Sequence, residues 1–531
     1  MLVVNTNVSA LKAQRELSRT RFGLSEAMER ISSGVRLNSS RDDATGVGIS
    51  QRMTSHIKGL SMAMQNANDG IGFLQTAEGA LQEVTNLMQR MREMAVQATN
   101  EANNSTDIAS LQFQVVELNA EINRIAEQTE LNGKRLLNGD VVNAEFQVGI
   151  RADQVIRVSI GSTSASRIGN YSTSTNSIGA FAIGSAVLGT VQGTAPANAV
   201  RDQTISIRGF NSGASATELL IGFEETARSI AARINLEESR SGVSATAKTR
   251  LILEDVFNDE VGNDVQTISF DLYGENKKSL DIEQVTAVHI TASIKRLDAQ
   301  GKLDLSEFVS AINEKTIITG VSAFEVSPGK IELVQENGEN ISIEKFQNAS
   351  GDPLRDPLPE DTLTVTGFEG TAPVTVREGT DEDSVTVGGI VTLNSYKAFT
   401  VTSDAQLQED SLFQDGFDNF LQGAEFSSLA DVDFKRVGGS NQALQIITSG
   451  LDFISSLRGE LGALQNRFES TIANLGSVRE NAEAARSRVQ DADFAVETAK
   501  LTKSQILQEA GIAILAQANT IPQAVLALLR A

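Results

Sequence analysis

The sequence predicts a chain that is mainly α at both ends, where the N- and C-terminal segments form a long antiparallel coiled-coil-like helix bundle, with a β-rich α+β central insert between them. Three observations predict it. From Asp43 to about Ala98, the residues Leu60, Ala67, Leu74, Leu81, Met88 and Ala95 recur every seven positions, which is the apolar repeat of a coiled coil. A comparable stripe returns only past Ser440, at Leu444, Ile447, Leu451, Ile454, Leu461, Phe468, Ile472 and Leu475. Between the two, helical periodicity gives way to short alternating runs typical of strands.

The first helix is read over residues 6–31, with Asn5, Thr6 and Asn7 available to cap it. Ser32-Ser33-Gly34 breaks it, and the polar stretch Asn38 to Asp43 carries a cap for the next helix. That next helix is the rod. At 1.5 Å per residue, about 55 residues span roughly 80 Å, and its seam needs partners. Gly59, Gly70, Gly72 and Gly79 interrupt it, and glycine tolerated inside a helix often marks close backbone approach by a neighbour. After a turn at Asn100–Asn104, with Ser105 or Thr106 as cap, a second helix carries Ile108, Leu111, Val115, Leu118, Ile122 and Ile125, and Asn132-Gly133 ends it. Phe146 to Ile160 reads as a hairpin turning near Arg151-Ala152-Asp153.

Residues 162–178 are rich in Ser and Thr and read as a flexible loop. Strand-like runs follow at Thr204–Ile207, Leu251–Leu253, Ile268–Leu272, Lys330–Val334, Thr362–Thr366, Ser384–Val387 and Phe399–Thr402. Ile234-Asn235 precedes Gly242-Val243-Ser244-Ala245 by the same interval that separates Ile312-Asn313 from Gly320-Val321-Ser322-Ala323. This matched spacing predicts a duplicated α+β unit at about 203–265 and 280–345. Beyond the second heptad stripe, Asn481–Thr498 reads as continuing polar helix. The last segment carries Leu507, Ile514, Ile521 and Leu528 every seven residues, with Pro522 inside the pattern.

Composition narrows the function. The 531-residue chain contains no Cys, so disulfides and thiolate metal sites are excluded. Its two His, His56 and His289, stand far apart and neither lies in an H-E-x-x-H pattern. Aromatics are 5% with no Trp, lean for an aromatic-lined pocket. The net charge of −23 divides into −2 over residues 1–165, −20 over 166–425 and −1 over 426–531. An acidic middle repels nucleic acid, and nearly neutral ends do not repel copies of themselves. Asp255–Asp264 and Glu378–Asp383 do not follow calcium-loop spacing and read as solvated acidic surface. The N-terminus lacks the pattern of a secretory signal, and no run of 18 apolar residues could span a membrane.

The residues then point to a family. The chain resembles bacterial flagellin, the subunit of the flagellar filament. The likeness runs through Asn5-Thr6-Asn7-Val8-Ser9-Ala10-Leu11, Ile31 to Asn38, Arg41-Asp42-Asp43-Ala44, Ala67-Asn68-Asp69-Gly70 and Leu131 to Leu137. At the other end it runs through Leu461 to Phe468, Asp491-Ala492-Asp493-Phe494-Ala495 and Ile514 to Asn519. The resemblance implies a filament-core domain from helices 1–42 and 487–531. It implies an inner rod domain from 43–165 and 428–486, and a variable, surface-exposed insert over 166–427. It implies a helical homopolymer, exported unfolded without a cleaved signal to the extracellular flagellum, with no cofactor and no catalytic or metal site. A terminal helix pair is too thin to bury both faces within one subunit. Its seam of Leu11, Phe22, Leu507, Ile514, Ile521, Val525 and Leu528 is therefore expected to order on polymerisation.

Further implied partners are an export chaperone on the C-terminal helix, the filament cap and hook-junction proteins, and the vertebrate Toll-like flagellin receptor. For that receptor, Gln89, Arg90, Glu93, Met94 and Gln97 are similar to the segment read in the family, together with Gln114. The family commonly has Leu at the position of Met94 and Glu at that of Gln114. Two other readings differ in class: a hook–filament junction protein, and a flagellin frame whose insert is enzymatic or adhesive. The dense motifs at both ends favour the filament subunit.

Overall fold

The computed structural model describes residues 6–100, 103–175, 183–213, 215–256, 265–276, 287–296, 303–349, 362–367, 371–405, 411–413, 422–436 and 438–530, with backbone alone for 349 and 521–530. The chain separates into two compact units, Met1–Ala80 with Thr129–Gly161 and Leu457–Ala531, and Leu81–Gln128 with Ser162–Ser456. Asn5 and most of the Asp255–Asp264 cluster lie outside the described residues.

In the first unit, helix α1 (Val8–Ser33) begins where the Asn7 side chain accepts from the Ala10 amide at 3.0 Å. It ends at Gly34, whose φ of 71° is the left-handed conformation of a helix C-terminus. Helix α2 (Ala44–Ala98) is capped by Asp43, which accepts from the Thr45 and Gly46 amides. Its residues Leu60 and Ala63 pack against Leu475, while Glu78 accepts from Gln465 at 3.1 Å. As position rises along α2 it falls along its partner, so the two run antiparallel. Phe468 closes this layer in edge-to-face contacts through Phe146 to Phe73, at centroid distances of 5.7 and 5.5 Å.

Two of the rod glycines answer to close approach. A Cβ on Gly70 would stand 2.8 Å from the Phe468 ring, and one on Gly59 2.7 Å from Ile150. In both cases the neighbour is a side chain and not a backbone, and Gly72 and Gly79 face open space. The hairpin pairs Ala144–Gln147 with Val155–Val158, and Asn66 of α2 donates to the Gln147 carbonyl at 3.0 Å. Asn132-Gly133 is not a helix end. Both have positive φ, 51° and 76°, and they turn the two-residue hairpin between Glu130–Leu131 and Lys134–Arg135.

In the second unit, helix α3 (Ser105–Gln128) is capped by Asn104 rather than by Ser105 or Thr106, because its side chain accepts from the Thr106 and Asp107 amides. Val84, Met88, Met91 and Ala95 of α2 are buried here, as are Leu111, Val115 and Ile122 of α3 and Ala443, Ile447 and Ile454. Polar residues of α3 hold the returning chain. Asn119 donates to the Leu429 carbonyl, and Gln112 both donates to the Val432 carbonyl and accepts from the Phe434 amide.

Short helices α4 (Ala227–Leu236), α5 (Glu238–Ser241), α6 (Ser306–Asn313) and α7 (Thr316–Thr319) belong to the insert. Two stretches of the insert share one order of elements, strand, strand, helix, short helix and strand, with bounds that differ from the expected ones. The first copy is Gln203–Arg208, Thr217–Ile221, α4, α5 and Ser244–Glu254. The second is Val265–Tyr273, Val288–Arg296, α6, α7 and Val321–Ser327, so it opens at Val265 and not near 280. The repeated Asn is the joint of each copy. The Asn235 amide accepts from the Ala245 N–H at 2.7 Å and donates to the Ala245 carbonyl at 2.9 Å. Asn313 does the same to Ala323 at 2.8 and 3.0 Å. Each copy has its own core, and the long strand Ser244–Glu254 serves both, giving Ala245 to one and Leu251 and Leu253 to the other. The Ser/Thr-rich stretch is not a simple loop either. Gly169–Ser174 is a strand paired with Ile390–Ser395 and Glu425–Ser428, and residues 176–178 lie outside the described ones.

The last two helices are α8 (Gly439–Gln490) and α9 (Phe494–Arg530). The polar helix expected over Asn481–Thr498 is therefore interrupted. At the break the Arg36 amide donates to the Gln490 carbonyl at 2.7 Å and the Ala492 amide to the Gly34 carbonyl at 3.0 Å. Asp493 then caps α9 through the Ala495 amide at 2.9 Å. Both helical strands thus break at the same level and tie to each other there. Pro522 does not end α9.

The amide clamps yield a test. Asn313→Ala leaves the buried N–H and C=O of Ala323 unpaired and should lower stability by about 1–3 kcal/mol. Denaturant unfolding of the full chain should show the loss in the transition of the insert, and Asn235→Ala should lose a similar amount.

Candidate functional site

The site is a surface, built on α1 and α9. The two helices meet through few and mostly small residues: Leu17, Ala27 and Ala518 are buried, and Leu17 lies against the Gly511 backbone, 3.2 Å from where a Cβ would stand. Asn7 ties the far end by donating to the Ala518 carbonyl at 2.8 Å. Leu24, Ile31, Leu501 and Leu515 are half-buried, and several other large apolar side chains are exposed. Phe22 is 75% exposed and Ile514 60%, and Leu11 and Leu507 are about half exposed with them. Val8, Met28, Phe494, Ile506 and Ile512 extend the same apolar surface. The side chains of Ile521, Val525 and Leu528 lie outside the described residues, on the last turns of α9.

One charged group is inside this pair. Glu497 of α9 is buried and accepts from Lys500 at 2.7 Å and from Arg30 of α1 at 3.4 Å. Burial alone would push its carboxyl up. Lys500 and Arg30 outweigh that and hold it below the ordinary carboxylate value. Arg30 is itself shared with Glu26 one turn earlier. The composition of the pair gave no sign of this cross-helix ion pair, because only the docking of α1 on α9 brings positions so far apart in sequence together.

The second candidate surface lies on α2 and α3. Gln89, Arg90, Glu93 and Gln97 are exposed on α2, and Gln114 is exposed on α3. Met94 is buried and packs inward, so it holds the helix in place and presents nothing outside. The surface also contains Val96, Phe113 and Val116, all more than half exposed, which the sequence reading passed over. Their signal was available, since Phe113 and Val116 fall outside the heptad seam of α3.

The ends of the chain match known families. The family described as "Bacterial flagellin N-terminal helical region" matches residues 4–141, and "Bacterial flagellin C-terminal helical region" matches 444–529. The B-type flagellin of Pseudomonas aeruginosa is 35% identical over 530 residues, covering all of both chains. The chain belongs to the bacterial flagellin family. The members of this family are the subunits of the flagellar filament. Flagellin B of Vibrio cholerae is 31% identical over 526 residues, with 99% of each chain covered. The flagellin of Salmonella typhimurium is also 31% identical, over 560 residues, again with 99% of each chain covered. A solved structure of FliC from Burkholderia pseudomallei matches at 18% identity, covering 75% of this flagellin and 99% of that chain, with a TM-score of 0.28, too slight a likeness to argue from.

The buried carboxylate gives a pH dependence. Because the folded pKa of Glu497 lies below its ordinary value of 4.5, its contribution is complete above that value and fades as pH falls through the folded pKa. Helix content of the terminal pair, followed by circular dichroism on acidification from about pH 6 to pH 3, should fall, and Glu497→Gln should flatten the part of the curve that this group supplies.

Proposed function

We propose that this flagellin builds the filament by burying the apolar faces of α1 and α9 against neighbouring copies. The observation that carries the reading is the exposure of Leu11, Phe22, Leu507 and Ile514 on a helix pair whose buried apolar residues are Leu17, Ala27 and Ala518. Fully burying such a side chain is worth about 1.5–3 kcal/mol, and within one chain that gain is forgone. A neighbour supplies the missing surface. Contacts of this kind join different patches on successive copies and do not close, so they propagate into an open helical polymer. Ile521, Val525 and Leu528 continue the seam on the same heptad.

The domain division follows from this reading: 1–42 with 487–531 as filament core, 43–165 with 428–486 as inner rod, and 166–427 as the outward insert. The protein is structural and has no catalytic role. It resides outside the cell in the flagellum. An export chaperone covers the C-terminal helix before assembly, and cap and hook-junction proteins engage the same ends. The exposed residues Gln89, Arg90, Glu93, Gln97 and Gln114 serve as the segment read by the Toll-like receptor, with Met94 as an inward anchor of that segment.

Removing Leu507 to Ala531 should abolish polymerisation, read by sedimentation and electron microscopy, while the insert stays folded. A finer variant is Phe22→Ala. It should leave monomer stability within about 0.5 kcal/mol, as for an exposed position, and raise the critical concentration for assembly about tenfold or more, the equivalent of 1.4 kcal/mol or above. Filaments forming at the unchanged concentration would contradict the seam. For the receptor segment, Arg90→Ala with Glu93→Ala should weaken binding to the receptor ectodomain and leave the fold of α2 unchanged. Unaltered binding would remove those residues from the reading.

A further inference from the structure

Helix α1 carries its charges in an order that does not suit a lone helix. Val8, Arg15, Phe22 and Glu29 recur every seven residues along it, and Lys12, Arg19 and Glu26 recur beside them. All seven are exposed, whereas Leu17 and Ala27 of the same helix are buried. Seven-residue spacing keeps each set on one side of a helix, so apolar residues share a stripe with two opposite charges. The cations of both sets stand in the half that begins at Val8, and the carboxylates in the half that ends at Ser33. Glu16, the acid of the basic half, belongs to neither set. A helix dipole favours the reverse order, with acids near the N-terminus and bases near the C-terminus. The first turn of α1 holds no acid, and Arg30 is the sole base of its last turn. An isolated helix gains nothing from this arrangement, so its use lies in what the stripe meets.

Little within the chain meets it. The side chains of Lys12, Arg15 and Arg19 make no hydrogen bond or ion pair among the described residues. Glu29 accepts from Asn38 at 2.7 Å and stays exposed. Glu26 is paired with Arg30, and its side chain is still 55% exposed. Covering Phe22 draws Arg15 and Glu29 into the same contact, because they lie on its stripe on either side. A charge taken out of water is costly unless an opposite charge meets it. A neutral surface satisfies neither end of the stripe, and a surface of one sign satisfies only one.

We propose that Arg15 and Arg19 of one copy pair with Glu26 and Glu29 of the next in the assembled filament, so that charge fixes the register in which the apolar seam is buried. This rests on the polymerisation reading above. Charge complementarity selects the occupant: a second α1 offers both signs, in the order required, once it is displaced along the helix axis. Undisplaced parallel copies would set Arg against Arg and Glu against Glu. Copies running in opposite directions would match their charges too, but such a pair closes on itself and cannot propagate. The staggered parallel arrangement leaves a basic half free at one end and an acidic half free at the other, so each added copy presents the same site again.

Exchange of the charges tests this in the full chain. Arg15→Glu should raise the critical concentration for assembly about tenfold or more, read by sedimentation, since it sets like charges together in the contact. Adding Glu29→Arg exchanges the two charges of the stripe and leaves the Glu26–Arg30 pair intact. The double variant should return to within about threefold of the unmodified chain, because the coupled pair is restored. Loss of the helix cannot account for the first result: Arg15 is exposed and unbonded, and an acid nearer the N-terminus favours α1, which circular dichroism of the monomers checks. Assembly of Arg15→Glu at the unchanged concentration would overturn the proposal, and so would a double variant no better than the single one. Failure of the unmodified chain to form filaments, or no effect of Phe22→Ala, would instead sink the polymerisation reading.

Discussion

A helix of 55 residues with one apolar stripe has to find an equal length of apolar surface, and this chain supplies it from its own far end. That one requirement orders the rest. Leu60 meets Leu475 and Glu78 meets Gln465, so residues separated by most of the sequence become neighbours. Such pairing carries a large loop-closure cost, but that cost grows only with the logarithm of loop length. An insert of any size can therefore be placed between the two strands with little penalty, provided the chain leaves and returns at one place. Here the return is held by polar groups and not by the seam: Asn119 and Gln112 of α3 take the backbone of Leu429, Val432 and Phe434. Hydrogen bonds of this kind fix position without adding apolar surface.

The same economy appears within the insert. Its two copies differ in length and in surface, yet each repeats one amide that satisfies both backbone groups of one alanine. A carboxylate of the same size could accept from the N–H but could not donate to the carbonyl, and a smaller side chain would reach neither. The residue is thus fixed by geometry even where its surroundings have drifted apart.

These features were unequally legible. The heptads of α2 and α8 were open to reading because burial along a straight helix is strictly periodic, and the cap at Asp43 because Asp before a helical run has a mechanism. The break at Asp491-Ala492-Asp493 was hidden. No glycine or proline marks it, and what stops the helix is a tertiary tie, Arg36 and Ala492 exchanging backbone bonds with Gln490 and Gly34. The opening strand of the second copy was also missed. Gln203-Thr204-Ile205-Ser206 recurs as Gln266-Thr267-Ile268-Ser269, 63 residues on, whereas the clamp recurs after 78. Unequal linkers broke the common period. On the functional surfaces, exposure was the illegible quantity: Met94 and Phe113 are both apolar helix residues, and only packing shows that the first points in and the second out.

Charge and apolar surface are divided along the chain in a way that gives assembly its direction. Repulsion between exposed charges is screened beyond about 8 Å at physiological ionic strength, so the acidic insert keeps copies apart at short range and does nothing at longer range. The segments 1–165 and 426–531 carry almost no net charge, and the apolar residues of α1 and α9 meet no such barrier. Two copies brought together at random therefore lose least by joining at their ends. Once joined there, the inserts are held near one another whatever their charge, and any contact between them must come from uncharged groups placed outward.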